Sequence, residues 1–172
     1  MRPFTTRRCN ACIGADMLKI FLCVALVALC SLAGFALTRK YKLRKTFLYD
    51  LHSFNERLIG EVSYTRIPLS AFFDKYEYGT DFTAVLAEIK ANNFKSVRIE
   101  FAYLSEAEKR LAQDYFSMIG KSDAKSQGNY LGAVRAELEK EKTDSEAEYK
   151  KYFALYTKLG FLFGLIVAIL LV

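Results

Sequence analysis

Only two prolines occur in this 172-residue chain, Pro3 and Pro68, so nothing breaks a helix over long stretches. Tryptophan is absent and His52 is the one histidine. A Cys–His nucleophile pair or a histidine-rich metal site therefore has almost nothing to draw on. Cysteine is confined to positions 9, 12, 23 and 30. Cys9 and Cys12 form a C-x-x-C, which is half of a zinc site or a redox pair. With no second pair and no histidine partner, neither reading is expected to hold. Cys23 and Cys30 fall inside an apolar run. Several motifs are missing as well: the phosphate loop G-x-x-x-x-G-K-[ST], the metalloprotease H-E-x-x-H and the nucleophile elbow G-x-S-x-G. The chain is expected to bind no metal or cofactor and not to be an enzyme. A one-signed charge field is also lacking. Between Thr38 and Lys158 there are 21 Lys and Arg against 18 Asp and Glu, a surplus of three. That is too balanced for a nucleic-acid surface, and no small-molecule substrate is indicated.

The apolar residues that are present collect in two blocks. Ile20 to Leu37 is 18 residues without a charge, about 27 Å as a helix and close to a bilayer's hydrocarbon thickness. Arg39, Lys40, Lys42, Arg44 and Lys45 follow at once, and such a cluster stays on the cytoplasmic side. The rival reading is a cleaved signal peptide with Gly34-Phe35-Ala36 as the processing site, but five basic residues are the wrong flank for export. A lipoprotein fits less well, because Leu29 stands before Cys30 where a small residue is wanted. Leu159 to Val172 is a second run of 14 residues, about 21 Å long as a helix. Tyr152, Phe153 and Tyr156 precede it as an interfacial belt. Runs of this length are also found as buried core helices. The membrane is favoured here because the run holds no polar residue. The expected organisation is a dispensable tail or over-extended start at 1–16, transmembrane helices at 17–38 and 159–172, and a cytoplasmic domain at 39–158. A start at Met17 would leave one charge outside and five inside.

Within the domain, Phe47, Leu48, Leu51, Phe54, Leu58, Ile59 and Val62 have helical spacing. Pro68 suits the first turn of a second helix, patterned by Leu69, Phe72, Phe73 and Tyr76 and ended by Gly79. Thr80 is a cap for a third helix, which turns Phe82, Val85, Leu86 and Ile89 inward. Asn92 to Leu104 alternates like a strand but has no partner strand; it reads as an extended connection or an irregular helix. Ser105-Glu106-Ala107-Glu108 is a capping box. Leu111, Tyr115, Met118 and Ile119 are the expected buried face of the helix it opens, and Gly120 stops that helix. Ser122 is expected to cap the last helix, with Asp123 complementing its positive end. Leu131, Val134, Leu138, Glu141, Ser145, Tyr149, Tyr152 and Tyr156 form one stripe of that helix, whose polar middle points to a position outside the core or against a partner. Gly160-x-x-x-Gly164 supplies small residues for close helix approach, with Ala28, Cys30 and Gly34 as receivers, or for self-association.

Four stretches together resemble the stage III sporulation protein AB family of endospore-forming bacteria. They are Met17-Leu18-Lys19 leading into the apolar block, Glu61-Val62-Ser63-Tyr64-Thr65-Arg66-Ile67-Pro68-Leu69, the turn element Gly120, Ser122, Asp123 and Gln127, and the tail Lys158 to Leu171. The resemblance runs from Met17 to Val172. It departs at Ile67, where a Thr cap is usual, and between Phe72 and Tyr103, which matches poorly. It implies an all-α helical bundle between two membrane helices, akin to the F-type platform proteins of type II secretion and type IV pilus machines. It also implies a non-enzymatic component of the stage III sporulation complex in the mother-cell membrane that engulfs the forespore. The implied partners are the complex's motor ATPase, stage III sporulation protein AA, and its other subunits. The alternatives are a platform subunit of a secretion or pilus system unrelated to sporulation, and a membrane-bound enzyme or signalling adaptor.

Overall fold

A computed structural model describes residues 8–64, 67–95, 97–121 and 124–171. Among the described residues there are five helices and no strand: α1 (Arg8–Tyr64), α2 (Leu69–Phe73), α3 (Thr80–Ala91), α4 (Glu106–Met118) and α5 (Ala124–Leu171). The chain divides into two compact units. One comprises Met1–Arg39 and Lys150–Val172, the other Lys40–Tyr149. The first division falls one residue after the expected membrane boundary. The second falls nine residues before it; beyond that division the backbone carbonyl of Tyr156 stands beside Gly34 of α1.

The 40–149 unit is built on α1, whose face Phe47, Leu48, Leu51, Phe54 and Leu58 is buried. Phe72 and Phe73 of α2, Phe82, Val85, Leu86 and Ile89 of α3, Tyr115 and Phe116 of α4, and Leu131 and Leu138 of α5 close the core around it. Aromatic rings dominate. Phe54 meets Phe72, Phe73, Phe82 and Phe116 with centroids 5.1, 5.5, 5.6 and 5.9 Å away, mostly edge to face. That geometry sets positive ring edges against negative ring faces.

Several local expectations need correcting. Pro68 is the N-cap of α2 rather than its first residue; its carbonyl accepts from the N–H groups of Ala71 and Phe72 at 3.0 and 3.1 Å. Gly79 does not end α2, which stops at Phe73; it caps α3 in place of Thr80, and no side-chain cap bond is made there. The reason is Asp50 of α1, whose Oδ2 accepts from the Gly79 N–H at 2.8 Å. A Cβ at position 79 would meet that oxygen at 2.7 Å, so only glycine lets the carboxylate in. Met118 is 49% exposed, and Ala112 and Phe116 are buried in its stead. With Glu108, Tyr115 and Ile119 they make one stripe at three- and four-residue steps, and Met118 lies off it. Residues 97–101 belong to neither a helix nor a strand.

In the other unit, Phe21, Val24, Leu29, Leu32, Phe35 and Leu37 of α1 are more than half exposed, as are Leu159, Phe161, Leu162, Phe163 and Ile169 of α5. Among the described residues no helix is long and apolar enough to cross a membrane. The side chains at 17–20, 22, 23, 26, 27, 30 and 31, and at 167, 168 and 170–172, lie outside the described residues. Those include Cys23 and Cys30, as well as part of both expected spans. Gly164 is buried and Gly160 half-buried. The close approach falls at Gly34, where an added Cβ would stand 3.0 Å from the carbonyl oxygen of Tyr156. Glycine at 34 thus lets the α5 backbone come near, two turns before Gly164.

Candidate functional site

The turn singled out in the sequence, Gly120 to Gln127, is partly assembled. Gly120 has φ +76°, the left-handed conformation that ends a helix cheaply only with glycine. Its N–H donates to Gln127 Oε1 at 3.0 Å, so the first turn of α5 is tied back to the end of α4. Gln127 is 5% exposed, and its Nε2 has no partner among the described residues. Leu69 of α2 lies 3.1 Å from where a Gly120 Cβ would stand. Ser122 and Asp123 lie outside the described residues, and so do the side chains of Cys9 and Cys12.

A second cluster crosses α1, α4 and α5. The capping box at Ser105 forms: Ser105 Oγ accepts from the Glu108 N–H, and Glu108 Oε2 accepts from the Ser105 N–H at 2.7 Å. The other oxygen of Glu108 accepts from Arg44 Nε, also at 2.7 Å, and Arg44 reaches Glu148 through Nη1. Glu108 is 2% exposed. Burial of so acidic a group is tolerable because every carboxylate oxygen is used and a guanidinium neutralises it. Glu141 stands close by, and burial followed by the charge of Glu108 raises its carboxyl above the usual range. The polar middle of the α5 stripe is therefore not outside the fold. It packs on α1, where Lys142 lies over the Tyr49 ring at 5.7 Å and Lys45 over Tyr149 at 5.3 Å.

The expected basic flank is thereby divided. Arg39, Lys40 and Lys42 are exposed. Arg44 and Lys45 are used inside the domain. Their sequence neighbourhood gave no sign of this, because Glu108 lies 64 residues away. Two further links were not read from the sequence. Asn55 donates to the Leu131 carbonyl at 3.3 Å and accepts from Tyr115 Oη at 3.1 Å, all three residues being buried. Glu61, 8% exposed, is held by Lys75 and by Tyr76 Oη. Arg57 lies over the rings of Tyr76 and Tyr78, 4.5 and 5.1 Å from their centroids.

Asp50 gives the site a pH signature. Burial raises its carboxyl above the ordinary value, while the Gly79 N–H and the charge of Arg57 pull it partway back. A carboxyl that holds its proton more tightly in the folded state makes stability fall as pH rises from its ordinary value to its raised one. Asp50→Asn keeps an acceptor for the Gly79 N–H and has no proton to lose. Acidification should favour the wild type over the variant in melting temperature, and parallel profiles from pH 7 to pH 3 would show Asp50 to be electrostatically silent.

Among the described residues no group of three or more Cys, His, Asp or Glu is placed to hold a metal ion. The polar contacts found tie helices together. The molecule is thus an all-helical protein with an aromatic-cored unit stitched by buried polar links, and a second unit that presents apolar side chains outward. Residues 19–172 match the family model described as stage III sporulation protein AB. The chain belongs to the stage III sporulation protein AB family, which gives it a role in sporulation. Neither a curated protein nor a solved structure matches it significantly.

Proposed function

We propose that this chain is a non-enzymatic, membrane-anchored component of the stage III sporulation complex. Its 40–149 unit faces the mother-cell cytoplasm as a platform for the complex's motor ATPase, stage III sporulation protein AA. The observation that carries this is the contrast between the two units. In one, apolar side chains are buried around Phe54; in the other, large apolar side chains point outward along both α1 and α5. Water penalises such a surface and lipid does not. Arg39, Lys40 and Lys42, exposed just after the first apolar block, fit the cytoplasmic headgroup region. Family membership supplies the process. The alternative, a platform subunit of a secretion or pilus system unrelated to sporulation, shares the anchored architecture and lacks that support.

The platform is tested by co-purification in detergent of the full chain with the motor ATPase. The two are expected to elute together. Charge reversals on the exposed face of α5, such as Glu137→Lys with Lys140→Glu, should leave melting unchanged and would locate the docking face if they separate the proteins. A chain that pellets with membranes but never retains the ATPase would keep the anchor and overturn the platform.

A further inference from the structure

From Lys150 to Val172 the chain has three lysines and no aspartate or glutamate. The faces of α5 differ along this stretch. Tyr156, Gly160 and Gly164 are half-buried or buried, and Gly34 of α1 stands against the Tyr156 carbonyl. The opposite face, at three- and four-residue steps, is Lys151, Leu155, Lys158, Leu162, Ile166 and Ile169. All six are exposed, Leu162 at 55% and Ile169 at 75%. Lys151 lies over the Tyr152 ring at 5.8 Å. Such a contact leaves the ammonium N–H donors open to a stronger acceptor. Glu148, the nearest acid on the helix, is taken up by Arg44.

The order along this face is that of a phospholipid. Lys151 and Lys158 stand nearly in line, about 10 Å apart along the axis. Helix side chains lean toward the N-terminus, so Lys158 extends back toward Lys151 and keeps its charge at headgroup level. Beyond Lys158 the face is apolar as far as Ile169, about 16 Å on and close to half a bilayer's hydrocarbon thickness. Charge selects the occupant. Two lysines attract a phosphate, and they repel the ammonium that a zwitterionic lipid brings with it. An acidic partner helix would have to carry its carboxylates among leucines and isoleucines, which is costly. A lipid phosphate stays in the headgroup layer. We propose that this face of α5 binds one anionic phospholipid, its phosphate between Lys151 and Lys158 and an acyl chain along Leu162, Ile166 and Ile169. The site rests on the membrane anchor proposed above and names the lipid class that the anchor selects.

The test is spin-label spectroscopy of the full chain in phosphatidylcholine vesicles. A trace of spin-labelled phosphatidylglycerol is compared with a trace of spin-labelled phosphatidylcholine, and the lipid immobilised on the protein is measured. The wild type should hold phosphatidylglycerol about threefold or more over phosphatidylcholine. Lys158→Gln should cut that preference about twofold or more, and Lys158→Arg should keep it. Lys150→Gln removes one charge from a different face and should leave the preference unchanged. Immobilised phosphatidylcholine should be the same for all four proteins, which shows that each variant is folded and inserted. Equal hold on the two lipids would overturn the site and keep the anchor. An equal loss in Lys150→Gln and Lys158→Gln would replace the site by general surface charge, and so overturn it. Immobilisation of neither lipid would overturn the anchor and the site together.

Discussion

Phe54→Ala is expected to cost about 3–5 kcal/mol, enough to unfold much of the 40–149 unit at physiological temperature. Phe54 is completely buried. Its ring is the common neighbour of aromatic side chains from α2, α3 and α4, at centroid separations from 5.1 to 6.3 Å. Removing it opens a cavity bounded by stiff rings that cannot collapse inward, and forfeits several edge-to-face contacts at once. Phe54→Leu fills part of that space and should cost roughly half as much. Thermal melting of the full chain in detergent checks both. Equal melting temperatures for Phe54→Ala and the wild type would mean that the aromatic cluster does not hold the unit together.

The second large effect is expected at Arg44. Arg44→Met keeps the apolar stem but withdraws the guanidinium from Glu108, leaving a carboxylate that is 2% exposed without its cation. Breaking such a pair from one side costs about 3 kcal/mol. Because Arg44 keeps some solvent contact and Glu108 retains the Ser105 N–H, the lower end of the usual range applies. The double variant Arg44→Met with Glu108→Gln neutralises the orphan and preserves an acceptor for the Ser105 N–H. It should recover most of the loss. The discriminating result is therefore the interaction between the two changes. Additive losses would show that Arg44 and Glu108 do not depend on each other. For a unit of this size, each kcal/mol moves the melting midpoint by about 4–8 °C.

What was legible in the sequence was what depends on near neighbours. The three- and four-residue spacing from Phe47 to Leu58 fixed the buried face of α1, and Phe82, Val85, Leu86 and Ile89 did the same for α3. The box at Ser105 and Glu108 was readable because both partners lie within one turn. Gly120 was readable as the stop of α4, but its bond to Gln127, only seven residues on, was not. The rest depends on pairings that only the fold creates. Thr80 reads as a cap, but the helix begins one residue earlier, at an N-cap Gly79 whose N–H is held by Asp50, 29 residues before it. Arg44 reads as one more membrane-flanking cation until Glu108 comes beside it. Nor could the Asn55 link to Leu131 and Tyr115 be seen along the chain, where its members stand 60 and 76 residues apart. Met118 falls outside the core; helical spacing alone does not tell which of two adjacent stripes, the one through Met118 or the one through Ala112 and Phe116, faces inward.

The most direct test of the account is deletion of the gene in its native host, scored for heat-resistant spores and complemented in turn by the full chain and by residues 40–149 alone. The account predicts arrest during sporulation, recovery with the full chain, and no recovery with the 40–149 unit, which lacks both outward-facing apolar segments. Normal spore counts in the deletion strain, or full recovery by residues 40–149, would contradict a membrane-anchored sporulation component.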